Sequence, residues 1–180
     1  RMTRFLSTFS KLCVNEGLIQ EPLSSESLTK TCKEYFSFVW QLYYEMQMPM
    51  LLGFKKVFGD LESFHISGIC LINHALNSKR NDNSEMSKEF YLEKYFFADK
   101  KDFSGVNAMS ISEITGIPRA TVIRKLNRLL KEKFLKIDSK KHYSTTGVNQ
   151  KKILNVQKKT LDNLSNFVAR IYNLSLIKDN

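Results

Sequence analysis

Arg119, Ala120, Thr121, Arg124, Lys125 and Arg128 follow a Gly116-Ile117-Pro118 corner and precede a Lys140-Lys141-His142 cluster. The chain concentrates its cations around this series. Residues 119 to 159 hold 13 of the 28 Lys and Arg but 2 of the 18 Asp and Glu, leaving 15 against 16 in the other 139 residues. The chemistry such a stretch can do is bind a polyanion, because each Lys or Arg that neutralises a phosphate releases a condensed counterion. A basic region on an otherwise balanced chain makes nucleic acid the leading partner.

Other chemistries find little footing. His65, His74 and His142 are scattered, and there is no HExxH, no Ser/His/Asp grouping and no glycine-rich phosphate cradle. No catalytic residue, cofactor or metal is therefore expected. Cys13, Cys32 and Cys70 are odd in number and lack CxxC spacing, which fits reduced thiols in the cytoplasm. The opening residues, Arg1-Met2-Thr3-Arg4-Phe5, lack the apolar core of a signal peptide, so export is not expected. Tyr35 to Phe54 carries a single charge, Glu45, over 20 residues, but Gln41, Gln47 and Pro49 make a buried interface helix a better account than a membrane span. His65 and His74, on a largely apolar segment, are expected to be buried structural histidines.

The elements that must position the cations can be read from spacing. Ser110 and Glu113 have capping-box spacing and predict a short helix starting just before Ile111. Thr115-Gly116-Ile117-Pro118 ends it, since Gly permits a positive φ and Pro suits the first turn of the next helix. In that second helix Val122, Leu126 and Leu129 fall at i, i+4 and i+7 and must face inward. Arg119, Thr121 and Arg124 are then outside as base readers or near-base contacts, Ala120 as a thymine-methyl contact, and Lys125 and Arg128 as phosphate clamps. Residues 134 to 138 and 142 to 146 have strand composition around a Ser139-Lys140-Lys141 turn, predicting a hairpin that presents Lys140, Lys141 and His142 to flanking backbone or minor groove.

Residues 111 to 147 resemble the winged helix-turn-helix of bacterial transcription regulators, particularly the MarR-like and IclR-like groups. The resemblance rests on Thr-Gly-Ile-Pro-Arg-Ala-Thr-Val at 115 to 122, then Arg124, Leu126, Leu129 and Phe134-Leu135, and covers about a fifth of the chain. It implies a mostly α fold with a small β-hairpin wing, the module being flanked by N- and C-terminal dimerisation helices. It further implies a regulator that binds double-stranded DNA as a homodimer, reading a pseudo-palindromic operator through helix 118–131 and wing 134–146. A plasmid replication or partition protein and an RNA-binding module are the alternatives, though only one helix-turn-helix is found and the basic region offers chiefly Tyr143 as an aromatic platform.

The flanks complete the expected organisation. Residues 1–59 form N-terminal helices for dimerisation or effector binding, with a helix from Ser25 to Met48 that Pro49 kinks or restarts. Residues 60–147 hold the DNA-binding module, with an apolar helix over Leu61 to Leu76, a polar break over 77 to 84, an insertion near 78–108, and a further helix over Glu85 to Asp99. In 148–180, Leu154, Leu161 and Val168 recur every seven residues in one long helix suited to meeting another helix, in its own subunit or a second one. Tyr35, Phe38 and Tyr43 form a candidate pocket for a small aromatic effector.

Overall fold

The computed structural model describes residues 2–80 and 105–177, which are mostly helical with one small two-stranded antiparallel sheet. The helix expected over Glu85 to Asp99 and most of the 78–108 insertion lie outside the described residues. The chain divides into two units, one formed by Arg1–Gly53 with Asn155–Asn180 and the other by Phe54–Leu154.

In the first unit, helix α1 (Met2–Asn15) buries Leu6, Ser10 and Cys13 and is followed by Gly17 in the left-handed region at φ +71°. The Ser10 hydroxyl accepts the Leu23 amide at 3.0 Å and donates to the Ser7 carbonyl at 2.8 Å. That pair satisfies a buried polar group and pins the connecting segment, whose Ile19 and Leu23 enter the core. Helix α2 (Ser25–Glu34) begins at Ser24, whose side chain caps the Ser27 amide. Helix α3 (Phe36–Phe58) follows after a break at Tyr35, with φ −106° and ψ 38°.

The helix expected from Ser25 through Met48 is thus two helices, and the break is at Tyr35 instead of Pro49. Pro49 lies inside α3 on an exposed face, where water can satisfy the carbonyl that loses its donor. Helix α7 (Gln150–Ser175) returns to this unit, and Phe167, Val168, Ile171 and Tyr172 close its core against Leu28, Val39 and Leu42. A Cβ on Gly53 would lie 2.9 Å from Val156 Cγ1, so α3 and α7 approach too closely there for a larger residue. Leu161, from the heptad series, is exposed, whereas Val168 is buried within its own chain.

The second unit is built on helix α4 (Leu61–Arg80), which packs on α6 and β2. Asp60 caps it through Oδ1 to the Ser63 amide at 2.8 Å, and Gly59 at φ +81° makes the corner out of α3. Its inward face is Ser63, Ile66, Ser67, Cys70 and His74, whereas the apolar Ile72 and Leu76 are exposed. The small Ser63 and Ser67 leave room for neighbours to approach, so burial follows close packing here more than hydropathy. The helix runs through Asn77 to Arg80, residues expected as a polar break. His74 is buried as expected, but His65 is exposed.

Helices α5 (Ala108–Thr115) and α6 (Arg119–Lys131) pack on each other, and strands β1 (Leu135–Ile137) and β2 (Tyr143–Thr145) pair with Leu135 opposite Thr145 and Ile137 opposite Tyr143. Val106 adds a bridge to the other edge of β2, with Val106 and Tyr143 exchanging amide hydrogen bonds at 3.0 and 2.9 Å. Gly105 is required beside it, because a Cβ there would meet the Tyr143 carbonyl oxygen at 2.5 Å.

Candidate nucleic-acid interface

The corner between α5 and α6 is fixed by local hydrogen bonds. Asn107, and not the expected Ser110 and Glu113 box, caps α5: its side chain accepts the Ser110 amide at 2.9 Å, starting the helix one turn earlier. Ser110 therefore serves as the capped donor. Gly116 stands at φ +70°, where an L side chain is strained, and the Ser112 hydroxyl donates to the Ile117 carbonyl at 2.7 Å across the corner. Pro118 then opens α6 at φ −53°.

Helix α6 turns Val122, Leu126 and Leu129 fully into the core. Ala120, Arg124, Asn127 and Lys131 lie on the opposite, exposed side, with Arg119 and Ile123 beside them, while Thr121 sits half-buried on the flank. Asn127 and Ile123 were missed in the sequence, although they stand at i+7 and i+3 from Ala120 and complete the same stripe. Arg119, Arg124 and Asn127 make no ion pair or side-chain hydrogen bond among the described residues.

Lys125 and Arg128, expected as phosphate clamps, are both engaged by acidic partners within the chain. Lys125 Nζ lies 2.7 Å from Asp60 Oδ2 and 3.1 Å from Glu62, with its side chain 13% exposed. Arg128 Nη1 lies 2.9 Å from the same Asp60 oxygen; Nη2 donates to the Ser63 hydroxyl at 2.7 Å and to the Phe58 carbonyl. Burial alone would raise the Asp60 carboxyl, but the hydrogen bonds from Lys125 and from the Ser63 amide and hydroxyl, with the Lys125 charge, hold it well below its ordinary 3.8. Two cations are thus spent on joining α6 to the start of α4. Such a pairing across more than 60 residues has no signal in local spacing.

The end of α6 is closed by paired bonds: the Phe134 amide to the Leu129 carbonyl at 2.9 Å and the Lys133 amide to the Leu130 carbonyl at 3.0 Å, with Lys133 left-handed at φ 60°. Phe134 and Leu129, both buried, provide the apolar contact that accompanies this closure. Phe134 is consequently a helix stop, and the strand starts one residue later than expected.

Asp138 organises the hairpin tip. Its Oδ1 accepts the Lys140 and His142 amides at 2.9 and 2.8 Å, and its carbonyl accepts Lys141, which is left-handed at φ 60°. These amides, the His142 bond foremost, lower the Asp138 carboxyl below its ordinary value. Lys140 and Lys141 are exposed. The His142 ring lies beside Asp138, with Nδ1 3.4 Å from Oδ2.

The candidate effector pocket is not assembled. Phe38 is exposed beneath the Arg170 guanidinium, 5.7 Å from its ring centre, and Tyr43 stacks on Trp40. Tyr35 lines a cleft of about 350 Å³ with Lys30, Glu34, Leu174 and Ile177, which includes neither of the other two. Tyr35 stands at the break before α3, and Phe38 and Tyr43, five residues apart on that helix, are turned about 140° from each other, so the three do not converge. Burial pushes the Cys70 thiol up to about 12. Among the described residues no helix is long and apolar enough to cross a membrane. No protein-family model, no curated protein and no solved structure matches the chain.

Proposed function

We propose that this chain is a sequence-specific double-stranded DNA-binding protein, a transcription regulator of the winged-helix kind, acting in two copies on a pseudo-palindromic site. Helix α6 enters the major groove, and the hairpin tip with Lys140 and Lys141 lies on the flanking backbone. One observation carries the reading: the cations of α6 divide, with Lys125 and Arg128 consumed by Asp60 while Arg119 and Arg124 remain unpaired among the described residues, on the stripe with Ala120 and Asn127. A small residue there lets the helix approach, Arg suits the acceptors of guanine, and Asn suits adenine. The bridge from Val106 to Tyr143 further supports a wing held to the module along the outer edge of β2.

Selection of bound fragments from random duplex DNA tests it, with single strands and structured RNA as competitors. An enriched motif is expected, on which Arg124→Ala loses about 1 to 3 kcal/mol and relaxes preference at one position. Equal retention of every sequence, or preference for RNA, overturns the reading.

A further inference from the structure

Among the described residues, two that are not glycine hold a positive φ, and both are lysines: Lys133 and Lys141, each at 60°. Glycine takes that conformation without strain, and Asn or Asp takes it at reduced cost; lysine does neither. Lys141 belongs to the hairpin tip described above. Lys133 stands at the stop of α6, where glycine is the usual closing residue. The backbone there gives no reason for a side chain, yet a lysine is present and exposed.

Three more exposed lysines are gathered around it. Thr146 Oγ1 donates to the Lys133 carbonyl at 2.6 Å, and Asn149 Nδ2 donates to the Glu132 carbonyl at 2.9 Å, so the base of the hairpin and the start of α7 are held against the end of α6. Lys151 and Lys152 follow Asn149 within one helical turn, and both are exposed. Their turn contains no acid, although the start of a helix disfavours cations. Lys131 is the next outward residue of the α6 stripe after Asn127. The acid beside these four cations is Glu132, which Arg128 Nε approaches at 3.7 Å. Lys133, Lys151 and Lys152 make no ion pair or side-chain hydrogen bond among the described residues. Strain, the helix field and mutual repulsion all oppose this gathering, and no internal partner offsets them.

Ammonium groups that reach into solvent separately suit a ligand with its own repeated charge, because each phosphate neutralised releases a counterion. Continuity with the α6 stripe selects duplex DNA as that ligand. We propose that Lys131, Lys133, Lys151 and Lys152 form a second phosphate-binding patch, at the base of the hairpin, whereas Lys140 and Lys141 stand at its tip. The patch anchors the duplex without reading its sequence. This deepens the function proposed above and rests on its duplex-binding part. A random-sequence duplex suffices for the test, so a chain that enriches no motif can still show the patch, and failure of the patch leaves motif recognition standing.

The experiment is fluorescence anisotropy of the full chain across a salt series, on a random duplex and on the selected one. Lys133→Gly removes strain and charge together: stability in urea should rise while affinity for both duplexes falls by about fivefold at 0.15 M salt, the slope of log affinity against log salt dropping by about 0.9. A merely structural lysine would not move the two in opposite directions. Lys133→Arg, which keeps the charge, should retain the native slope. Lys151→Ala with Lys152→Ala, two exposed positions, should lower the slope by about 1.8 with the ratio of selected to random binding unchanged. An unchanged slope in Lys133→Gly or in the double variant overturns the proposal. So does a loss confined to one sequence, a Lys133→Gly chain that loses stability and affinity together, or tighter binding of the native patch to anionic vesicles than to duplex.

Discussion

Replacing Arg128 with Ala separates structural cations from recognition cations. The substitution removes the bonds to Asp60 at 2.9 Å, to the Ser63 hydroxyl at 2.7 Å and to the Phe58 carbonyl. Asp60 is not orphaned, because it keeps Lys125 at 2.7 Å and the Ser63 amide at 2.8 Å, so no uncompensated charge is created. Three such bonds at about 1 kcal/mol each set an upper figure. The Arg128 side chain is 35% exposed and water can replace part of what is lost, which brings the expectation to about 2 kcal/mol. For a chain of this size that lowers the thermal midpoint by about 4 to 8 °C.

Urea unfolding gives the first number, and fluorescence anisotropy with the selected duplex across a salt series gives the second. Arg128→Ala should lose stability with an unchanged slope of log affinity against log salt. Arg124→Ala should keep its stability and, insofar as the side chain also neutralises a phosphate, reduce that slope by about 0.9. An Arg128→Ala protein with unchanged stability and a slope reduced by about 0.9 would place that guanidinium on a phosphate and refute the reasoning.

Three other outcomes follow from the same contacts. Because the Asp60 carboxyl is depressed in the folded state, its contribution is fully present above its ordinary 3.8 and is lost as the pH falls through the lower folded value. Acid titration followed by circular dichroism should show this loss in the native chain and not in Asp60→Asn, which starts less stable at pH 7. Lys133→Gly relieves a left-handed backbone at φ 60° and should stabilise by about 1 kcal/mol in urea unfolding; a loss of stability would mean the Lys133 side chain contributes more than its backbone costs. Lys140→Ala at the hairpin tip should weaken binding to all duplexes alike and lower the salt slope by about one unit, whereas a change confined to one sequence would make Lys140 a base reader.

How legible each part was depends on how local its cause is. The Gly116-Ile117-Pro118 corner and the burial of Val122, Leu126 and Leu129 follow from one residue's φ and a 3.6-residue period, and both can be read within a dozen residues. Asn107 and Ser110 are both competent caps by residue type, and the helix uses the earlier one, with Ile111 buried in its first turns. Pro49 reads as a helix breaker in isolation, yet it sits within α3 on an exposed side, where water can satisfy the carbonyl that loses its donor. The bridge from Val106 to Tyr143 is a single residue pair and carries no alternation to detect. Arg124 and Lys125 are adjacent cations of one helix, and nothing in the local sequence reports that Asp60 claims the second.

That last distinction bears directly on selectivity. A cation facing phosphate strengthens binding to every duplex by the same factor, so it adds affinity without discrimination. Helix α6 carries five basic residues, Arg119, Arg124, Lys125, Arg128 and Lys131, and a helix presenting all five would hold any DNA it met. Asp60 pairs with both Lys125 and Arg128, joined by Glu62 on the first and Glu132 on the second, and so anchors the helix to the start of α4 through cations already engaged within the chain. The outward stripe is left with Arg119, Arg124 and Lys131 around Ala120, Ile123 and Asn127. Fewer free charges lower the background, and a rigidly held stripe makes a mismatched base costly, because an unpaired Arg or Asn in the groove cannot move to find another partner. On the proposed reading, the same carboxylate that stabilises the unit therefore also raises the ratio of specific to non-specific binding.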